Sequence, residues 1–302
     1  MPTGYHLFMQ SGARALVMDL GGTGARALLI DGPEKIHTVG PAANPNRVGL
    51  DASKDCIVGM LKRLRLSGKR VERAIIGMAG RSHPAAVSIV ASAMKEAHVE
   101  VDIRWLVNDA ELAHLAAFSG QRDPGVLVVA GTGSISVARM GSGQFVRAGG
   151  LGPKVGDEGS GHWIGERLFG WARDNPGFRE ALRKLGVTSL DLLNAAQTPS
   201  ILAEHIDGLV EGEPLARDLA EQAGLKLGHL AQEAWRKAAI PSRSVKVSGS
   251  VLVESRTVRA AFTCALGRLS PPLRDEGDVG DVLETGMAWL LESPLKPVPP
   301  GW

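Results

Sequence analysis

The chain has 302 residues, enough for two domains of ordinary size, and its 44% apolar and 22% charged residues are typical of a globular protein. The net charge is only +2, from 34 basic and 32 acidic residues, and no basic run is long enough to favour a nucleic-acid partner. The two cysteines, Cys56 and Cys264, lie far apart, which argues against a disulfide scaffold and against a cysteine-based metal site.

Neither end of the chain predicts a membrane or secretory segment. Met1–Gln10 lacks a cationic region followed by an apolar core, and no run of about 18 apolar residues occurs anywhere. The expectation is a cytoplasmic protein without a membrane partner.

The first third of the sequence alternates apolar strands with helical periodicity. The predicted strands are Ala15–Leu20, Ala25–Ile30, Ala74–Met78 and Ile103–Val107. The predicted helices are Asp51–Leu66, Ala85–His98 and Ala110–Phe118. This alternation favours an α/β fold with a mainly parallel sheet.

The strand pattern then begins again. Gly125–Ala130 and Ile135–Met140 are predicted strands that flank a glycine turn, as Ala15–Leu20 and Ala25–Ile30 do. An offset of 109 residues, from 22 to 131, places one Gly-Thr-Gly over the other. A repeat of this length indicates duplicated halves, one in each lobe.

The remaining sequence is mostly helical up to Ile240, with a break at Asn175-Pro176-Gly177. A strand at Ser244–Val247, a loop at Ser270–Asp281 and a helix at Val282–Leu291 follow, and Ser293–Trp302 is predicted to be an irregular end. We expect an N-terminal lobe of residues 1–117 completed by 282–302, and a C-terminal lobe of residues 118–281 with a helical insertion.

The first glycine loop, Gly21–Gly24, lies between the first two predicted strands. Its glycines let main-chain N–H groups approach an anion, and the Thr23 hydroxyl adds a donor. Asp19 at the preceding strand end needs a cation between itself and a phosphate, and Mg²⁺ fits that requirement. The alternative is an ordinary hairpin turn.

The second glycine loop, Gly131–Ser134, strengthens the phosphate interpretation. Two such loops, one in each half, would face each other across a cleft and hold a polyphosphate from both sides. The sequence contains neither a Walker loop nor a complete dinucleotide-binding motif, so a different manner of nucleotide binding is predicted.

Asp109 follows the strand Ile103–Val107, where loop residues of an α/β sheet reach a ligand. A hydroxyl that attacks a γ-phosphoryl group needs a carboxylate to accept its proton, and Asp109 is the candidate base. The alternative is a helix N-cap, a position that aspartate also favours.

Two further segments are candidates for ligand contacts. The glycine-rich segment, Gly149–Trp163, has the polar composition of a loop that wraps a polyhydroxylated ligand, and its alternative is a flexible linker. Ser248–Val251, which includes Gly249 and Ser250, indicates either a nucleoside contact or a plain connection between strand and helix.

Together these motifs resemble the sugar kinase, heat-shock chaperone and actin superfamily. Asp19–Arg26 and the second glycine loop resemble its two phosphate motifs, and Ser248–Val251 resembles its adenosine motif. Ala79-Gly80 and Gly286-Met287-Ala288 resemble its connecting motifs. Within the superfamily the chain is most similar to BadF/BadG-type ATPases that include N-acetylglucosamine and glucosamine kinases. That similarity lies in Asn44–Gly49, Asn108–Ala110 and Gly152–Gly165.

The resemblance implies two ribonuclease-H-like lobes that bind ATP between them, with Mg²⁺ held near Asp19 through water. It implies an amino-sugar kinase in which Asp109 activates the sugar 6-hydroxyl. The implied sugar contacts are Asn44, Gly80, Asp109 and Asp157. The implied nucleotide contacts are Gly21, Gly22, Thr23, Gly24, Arg26, Gly131, Thr132, Gly133, Ser134, Gly249 and Ser250.

The sequence departs from the amino-sugar kinase pattern at one position. An asparagine can follow the second phosphate motif near the substrate in enzymes that act on N-acetylated sugars, whereas this chain has Ile135. Glucosamine or another hexose therefore stays open.

Three other functions are weighed against the kinase. An activating ATPase with an iron–sulfur cluster needs cysteine ligands, and Cys56 and Cys264 fall outside the glycine motifs. A non-catalytic sugar or nucleotide sensor conflicts with the presence of Asp19, Asp109 and both glycine loops, and a chaperone-like ATPase would need a client-binding domain. Residues 163–240 offer helical surface for a possible homodimer.

Overall fold

The computed structural model describes residue 8, residues 11–121 and residues 123–292. The predictions for residues 1–10, apart from residue 8, and for residues 293–302 fall outside that description. The chain forms two compact units, residues 1–121 with 279–302, and residues 122–278. These boundaries were predicted to follow residues 117 and 281.

The first unit is built on a five-stranded sheet in the order β3-β2-β1-β4-β5. Its strands are β1 (Arg14–Leu20), β2 (Gly24–Asp31), β3 (Glu34–Pro41), β4 (Arg70–Met78) and β5 (Glu100–Val107). β1, β2 and β3 form an antiparallel meander, and β4 and β5 run parallel to β1. β3 was not predicted, because its residues are exposed or half-buried and form no apolar run.

Among the described residues of the first unit, four helices precede the second unit in the chain. They are α1 (Pro45–Val48), α2 (Leu50–Arg63), α3 (Ala86–Glu96) and α4 (Asp109–Ala117). The helix predicted over Asp51–Leu66 ends three residues early, where Arg65 turns to a φ of +56°. Leu64 and Leu66 stay fully buried beyond that end, so their apolar pattern reflects the core rather than the helix.

The second unit repeats the connectivity of the first. Its strands are β6 (Val126–Ala130), β7 (Ser134–Arg139), β8 (Phe145–Gly149), β9 (Ser244–Ser248) and β10 (Arg274–Asp278), in the order β10-β9-β6-β7-β8. β6, β7 and β8 form the antiparallel meander, and β9 and β10 are the parallel strands. The predicted α/β fold with two similar halves is therefore confirmed.

Two strands of the second sheet were absent from the sequence analysis. β10 lies inside the segment predicted as the loop Ser270–Asp281. It was not recognised as a strand because its residues are polar, as befits an edge strand whose single neighbour is β9. β8 has only one fully buried residue, Ala148, so it lacks the apolar run that marks a central strand.

The second unit carries most of the helices. They are α5 (Gly161–Asp174), α6 (Pro176–Lys184), α7 (Ser189–Ala195), a 3₁₀ helix (Pro199–His205), α8 (Ile206–Leu209), α9 (Pro214–Ala238), α10 (Ser250–Glu254) and α11 (Arg256–Arg268). The predicted break is at Asn175, whose side chain caps α6 by accepting from the Gly177 N–H at 2.9 Å. α9 and α11 pack so closely at Gly224 that a β-carbon there would lie 2.6 Å from that of Ala261.

The last described helix, α12 (Val282–Glu292), belongs to the first unit. An added β-carbon on Gly286 would lie 3.5 Å from both Leu112 of α4 and Val17 of β1, so α12 packs against both elements. Arg73 secures its last turn by donating to the carbonyls of Leu290 and Leu291 at 3.1 Å. Over the described ranges, the structure has no helix whose length and apolar character would let it span a bilayer.

Candidate functional site

The polar motifs of the first unit lie at one edge of its sheet. β1, β4 and β5 are parallel, with Leu20 opposite Met78 and Gly77 opposite Val107. Their carboxyl ends therefore lie together, the position at which α/β sheets bind ligands. The residues that follow these strands include the first glycine loop, Gly80 and Asp109.

The first glycine loop is closed by its own backbone. The Gly21 N–H donates to the Gly24 carbonyl at 3.0 Å, and a β-carbon on Gly21 would lie 2.8 Å from the same oxygen. Within the described residues, the N–H groups of Gly22 and Thr23 have no backbone acceptor, and Thr23 is exposed. Two main-chain donors and a hydroxyl are thus available to an anion.

Asp19 and Arg26 stand opposite each other on β1 and β2. Arg26 Nη2 and Asp19 Oδ2 form an ion pair of 2.8 Å, and Arg26 Nη1 lies 4.0 Å from Asp281. The Asp19 side chain is 20% exposed. The carboxylate is accessible beside the first glycine loop, and one of its oxygens is already paired.

Ala43, which precedes α1, and Arg47, which lies in α1, both donate to backbone carbonyls of the first glycine loop. The Ala43 N–H donates to the Gly21 carbonyl at 3.3 Å, and Arg47 Nη1 donates to the Gly22 carbonyl at 3.1 Å. Arg47 lies in Asn44–Gly49, one of the segments that carry the family resemblance, but the resemblance implies no role for it. No local signal could have found this bond, because the two residues lie 25 positions apart.

Asn44 and Gly80, two predicted sugar contacts, are neighbours. The Asn44 side chain caps α1 by accepting from the Asn46 N–H at 3.0 Å. Gly80 has a φ of +77°, and a β-carbon there would overlap Asn44 Oδ1 and lie 2.8 Å from Asn46 Nδ2. Glycine is required here for both its backbone conformation and its lack of a side chain.

Asp109 is the first residue of α4 and is half-buried. The capping role belongs to Asn108, whose side chain accepts from the Ala110 N–H at 3.2 Å while its own N–H donates to Glu111 at 2.8 Å. The alternative interpretation of Asp109 as the N-cap is therefore wrong. Asn108 also donates to the Met78 carbonyl at 3.4 Å, which ties this helix start to the strand end before Gly80.

The second glycine loop resembles the first, but the strand residues that pair on either side of it enclose one residue fewer. Leu20 pairs with Ala25 around four residues, whereas Ala130 pairs with Ser134 around three. The Gly131 N–H closes the loop on the Gly133 carbonyl at 3.0 Å. In the described part of the chain, no backbone group accepts from the N–H of Thr132 or Gly133, and Thr132 is exposed.

The glycine-rich segment is bonded to the second glycine loop. The Gly161 and His162 N–H groups donate to the Gly131 and Thr132 carbonyls at 2.7 and 3.0 Å. The Ser134 hydroxyl donates to the Glu158 carbonyl at 2.8 Å. These bonds contradict the alternative interpretation of the segment as a linker.

Asp157 lies beneath the second glycine loop. It has a left-handed φ of +58°, is only 8% exposed and accepts from the Ser134 N–H at 3.3 Å. A β-carbon on Gly133 would lie 3.0 Å from its Oδ2. Burial raises the pKa of Asp157, and the hydrogen bond from Ser134 offsets only part of that effect.

Gly249 lies against the start of the second glycine loop. Its φ is +89°, and a β-carbon would overlap the Ala130 carbonyl oxygen and lie 2.8 Å from the Gly131 nitrogen. The turn after β9 thus places Gly249 beside a candidate phosphate loop, and the next residue, Ser250, is exposed.

Ile135 and Cys56 bear on two of the alternatives: Ile135 on which sugar is bound, and Cys56 on an ATPase with an iron–sulfur cluster. Ile135 lies directly against Gly150, where a β-carbon would be 2.7 Å from its Cδ1. Cys56 is in the core of the first unit, donates to the Pro41 carbonyl at 3.3 Å, and has a pKa raised by burial. Over the described residues, no three His, Cys, Asp or Glu side chains cluster as metal ligands.

The chain matches the model of the BadF/BadG/BcrA/BcrD ATPase family over residues 16–257. This match covers most of the sequence, so the chain belongs to that ATP-binding family.

Two characterised relatives carry related names. The N-acetyl-D-glucosamine kinase of Dictyostelium discoideum is 29% identical over 191 residues, which are 58% of this chain and 60% of that protein. The N-acetylmuramic acid/N-acetylglucosamine kinase of Clostridium acetobutylicum is 50% identical over 60 residues, 20% of this chain and 19% of that protein. Each match spans less than two thirds of the relative's own length.

A solved structure from Porphyromonas gingivalis, provisionally assigned as an N-acetylglucosamine kinase, superposes with a TM-score of 0.72 at 17% identity. The superposition covers 92% of this chain and 98% of that one. At this identity the likeness shows the fold, and the predicted actin-like α/β class is confirmed.

Proposed function

We propose that the chain is an ATP-dependent sugar kinase that phosphorylates the 6-hydroxyl of an amino sugar, N-acetylglucosamine or glucosamine. The observation that carries the proposal is the grouping of Asp109, Gly80 and the first glycine loop at one sheet edge, with Asn44 against Gly80. A base, a polar side chain for a sugar and a phosphate loop are the parts that phosphoryl transfer to an alcohol needs. The names of the two relatives support the amino sugar.

Asp109 acts as the general base in this proposal. Its carboxylate accepts the proton of the sugar hydroxyl, whose oxygen forms a bond to the γ-phosphorus of ATP. The bond between that phosphorus and the β–γ bridging oxygen breaks and leaves ADP. The assignment of the cap to Asn108 supports a catalytic role for Asp109, because its presence at this position is not explained by capping.

The two glycine loops bind phosphate oxygens of ATP. Each loop presents main-chain N–H groups that lack a backbone acceptor in the described chain, together with an exposed threonine at its tip. Gly249 and Ser250 contact the nucleoside, which the closeness of Gly249 to Gly131 supports.

Asp19 is the candidate magnesium contact. Mg²⁺ is commonly held by one or two carboxylates together with waters and substrate phosphates, so a single acid here fits the ion. Only Oδ2 of Asp19 has a partner among the described residues, the Arg26 guanidinium, which leaves Oδ1 for a bound water. When bound, Mg²⁺ neutralises the charge that develops on the phosphates.

Asn44 and Asp157 are the proposed ligands of the sugar hydroxyls. Asp157 is buried and accepts from the Ser134 N–H, which links its contact with the sugar to the geometry of the second glycine loop. Ile135 favours a second candidate substrate, a hexose without an acetamido group, because an apolar side chain offers that group no hydrogen bond. A cytoplasmic homodimer stays a prediction.

A screen of hexoses and amino sugars in a coupled ADP-release assay tests the function. The expected result is ADP formation that depends on an amino sugar and yields one phosphosugar per ADP. ATP hydrolysis that is independent of every sugar, with no phosphosugar formed, would contradict a kinase and favour a sensor or a partner-dependent ATPase.

A further inference from the structure

We propose that Arg47 is a positioning residue of the ATP site, which fixes the Gly22–Thr23 peptide so that the Thr23 N–H donates to a phosphate. The inference rests on the proposed ATP-binding role of the first glycine loop. The observation behind it is the bond of 3.1 Å from Arg47 Nη1 to the Gly22 carbonyl.

The geometry of one peptide unit links the two residues. The carbonyl of Gly22 and the N–H of Thr23 belong to the same planar trans peptide and point in opposite directions. A donor that holds the carbonyl on one side therefore directs the N–H to the other side. That N–H has no backbone acceptor within the described chain.

Arg47 also polarises the Gly22–Thr23 peptide, in addition to fixing its orientation. Hydrogen bonds in a chain polarise one another, so a charged donor on the Gly22 carbonyl makes the Thr23 N–H a stronger donor. Glycine at position 22 imposes few steric limits on the peptide, and a β-carbon there would meet nothing within 4 Å. The bond from Arg47 consequently adds a restraint on the orientation of this peptide.

The position of Arg47 is itself secured. The Ser53 hydroxyl, which is buried, donates to the Ala43 carbonyl at 2.6 Å, and the Ala43 N–H donates to Gly21. Asn44 caps the short helix that carries Arg47. The guanidinium thus approaches the loop from a segment that is bonded to the same loop.

The charge of Arg47 is not used elsewhere in the described residues. Among the residues that the structure describes, no carboxylate lies within 4 Å of its guanidinium, whereas Arg26 is paired with Asp19. The positive charge of Arg47 beside the first glycine loop also attracts the phosphates.

Arg47→Met tests the inference by removing the donor and keeping much of the side-chain length. Isothermal titration calorimetry would measure binding of the ATP analogue AMPPNP and of adenosine to the full chain. We expect AMPPNP to bind about tenfold more weakly and adenosine to bind unchanged, since one hydrogen bond to a charged group is lost. Arg47→Lys, which keeps a charged donor, should recover most of the affinity.

Arg63→Met is the matched control. Arg63 is also exposed and also donates to a main-chain carbonyl, that of Val39 at 2.7 Å, away from the glycine loop. Its variant should bind both ligands as the wild type does. Thermal unfolding of all variants should agree within a few degrees.

The inference is overturned if the affinity of Arg47→Met for AMPPNP is within twofold of the wild-type affinity. It is equally overturned if the substitution weakens binding of adenosine as much as binding of AMPPNP. It is also overturned if Arg47→Lys is no better than Arg47→Met. A wild type that binds AMPPNP but phosphorylates no sugar would contradict the proposed function alone, and the Arg47 comparison would still be decisive.

Discussion

Asp157 accepts a hydrogen bond of 3.3 Å from the N–H of Ser134, the last residue of the second glycine loop. Its carboxylate is also 3.0 Å from the place where a β-carbon of Gly133 would be. A predicted sugar ligand and a predicted phosphate loop therefore touch within one unit. In the proposed enzyme, binding of the sugar and binding of ATP are energetically coupled through this carboxylate.

Asp157→Asn is expected to raise the KM for ATP as well as the KM for the sugar, each by about tenfold, because a charge-assisted hydrogen bond at the loop becomes a neutral one. Steady-state kinetics with each substrate varied in turn would measure both constants. Glu158→Gln is the control, since Glu158 is the adjacent acid and pairs with Lys226 at 2.9 Å. A rise in the sugar KM alone would contradict the coupling.

The pH dependence of stability provides an independent test of the buried state of Asp157. Burial raises the folded-state pKa above the unfolded value, so the stabilising contribution is present below the unfolded pKa and is lost as pH rises through the folded pKa. Asp157→Asn removes this loss. The thermal midpoint of the variant should therefore gain on that of the wild type as the pH is raised from below 3.8, the ordinary aspartate pKa, to neutrality. A difference that is constant over this range would show that Asp157 ionises without penalty.

Asp109→Asn should reduce kcat by roughly 10²–10⁴-fold and leave AMPPNP binding intact, because the amide cannot accept the hydroxyl proton. Turnover and calorimetric affinity would be measured on the same preparation. Asp51→Asn is a matched control, since Asp51 is also an acid in the first turn of a helix. An Asp109→Asn enzyme with unchanged turnover would exclude Asp109 as the base.

Gly80→Ala is expected to weaken binding of the sugar more than binding of the nucleotide. The added β-carbon overlaps Asn44 Oδ1, so the asparagine must move. Gly68→Ala controls for backbone strain, because Gly68 has a similar φ of +74° and open space around its α-carbon. Both variants should lose thermal stability, and only Gly80→Ala should raise the sugar KM. Equal kinetic effects in the two would remove Gly80 from the sugar site.

Local patterns predicted the parts of the fold that depend on local physics. β1, β2, β6 and β7 have buried apolar residues around a glycine turn, and the duplication appears as the repeated Gly-Thr-Gly. β3 and β10 could not be predicted in this way, because each lacks an apolar run and none of their residues is fully buried.

The candidate site was predictable in composition and less so in contacts. A glycine-rich segment with two acids indicates a polar loop, yet Asp157 is buried because the second glycine loop covers it. The bond from Arg47 to Gly22 depends on how α1 packs, which is a tertiary effect. Asn108 rather than Asp109 became the cap through its reciprocal bonds with Glu111 and Ala110.

The central claim is phosphoryl transfer from ATP to a sugar 6-hydroxyl, and a comparison of N-acetylglucosamine and glucosamine with their 6-deoxy analogues tests it most directly. Phosphosugar would be quantified by ³¹P NMR beside the ADP released. We predict one 6-phosphosugar per ADP with at least one of the two amino sugars and none with either 6-deoxy analogue. Equal ADP release with and without the 6-hydroxyl, in the absence of phosphosugar, would contradict the account.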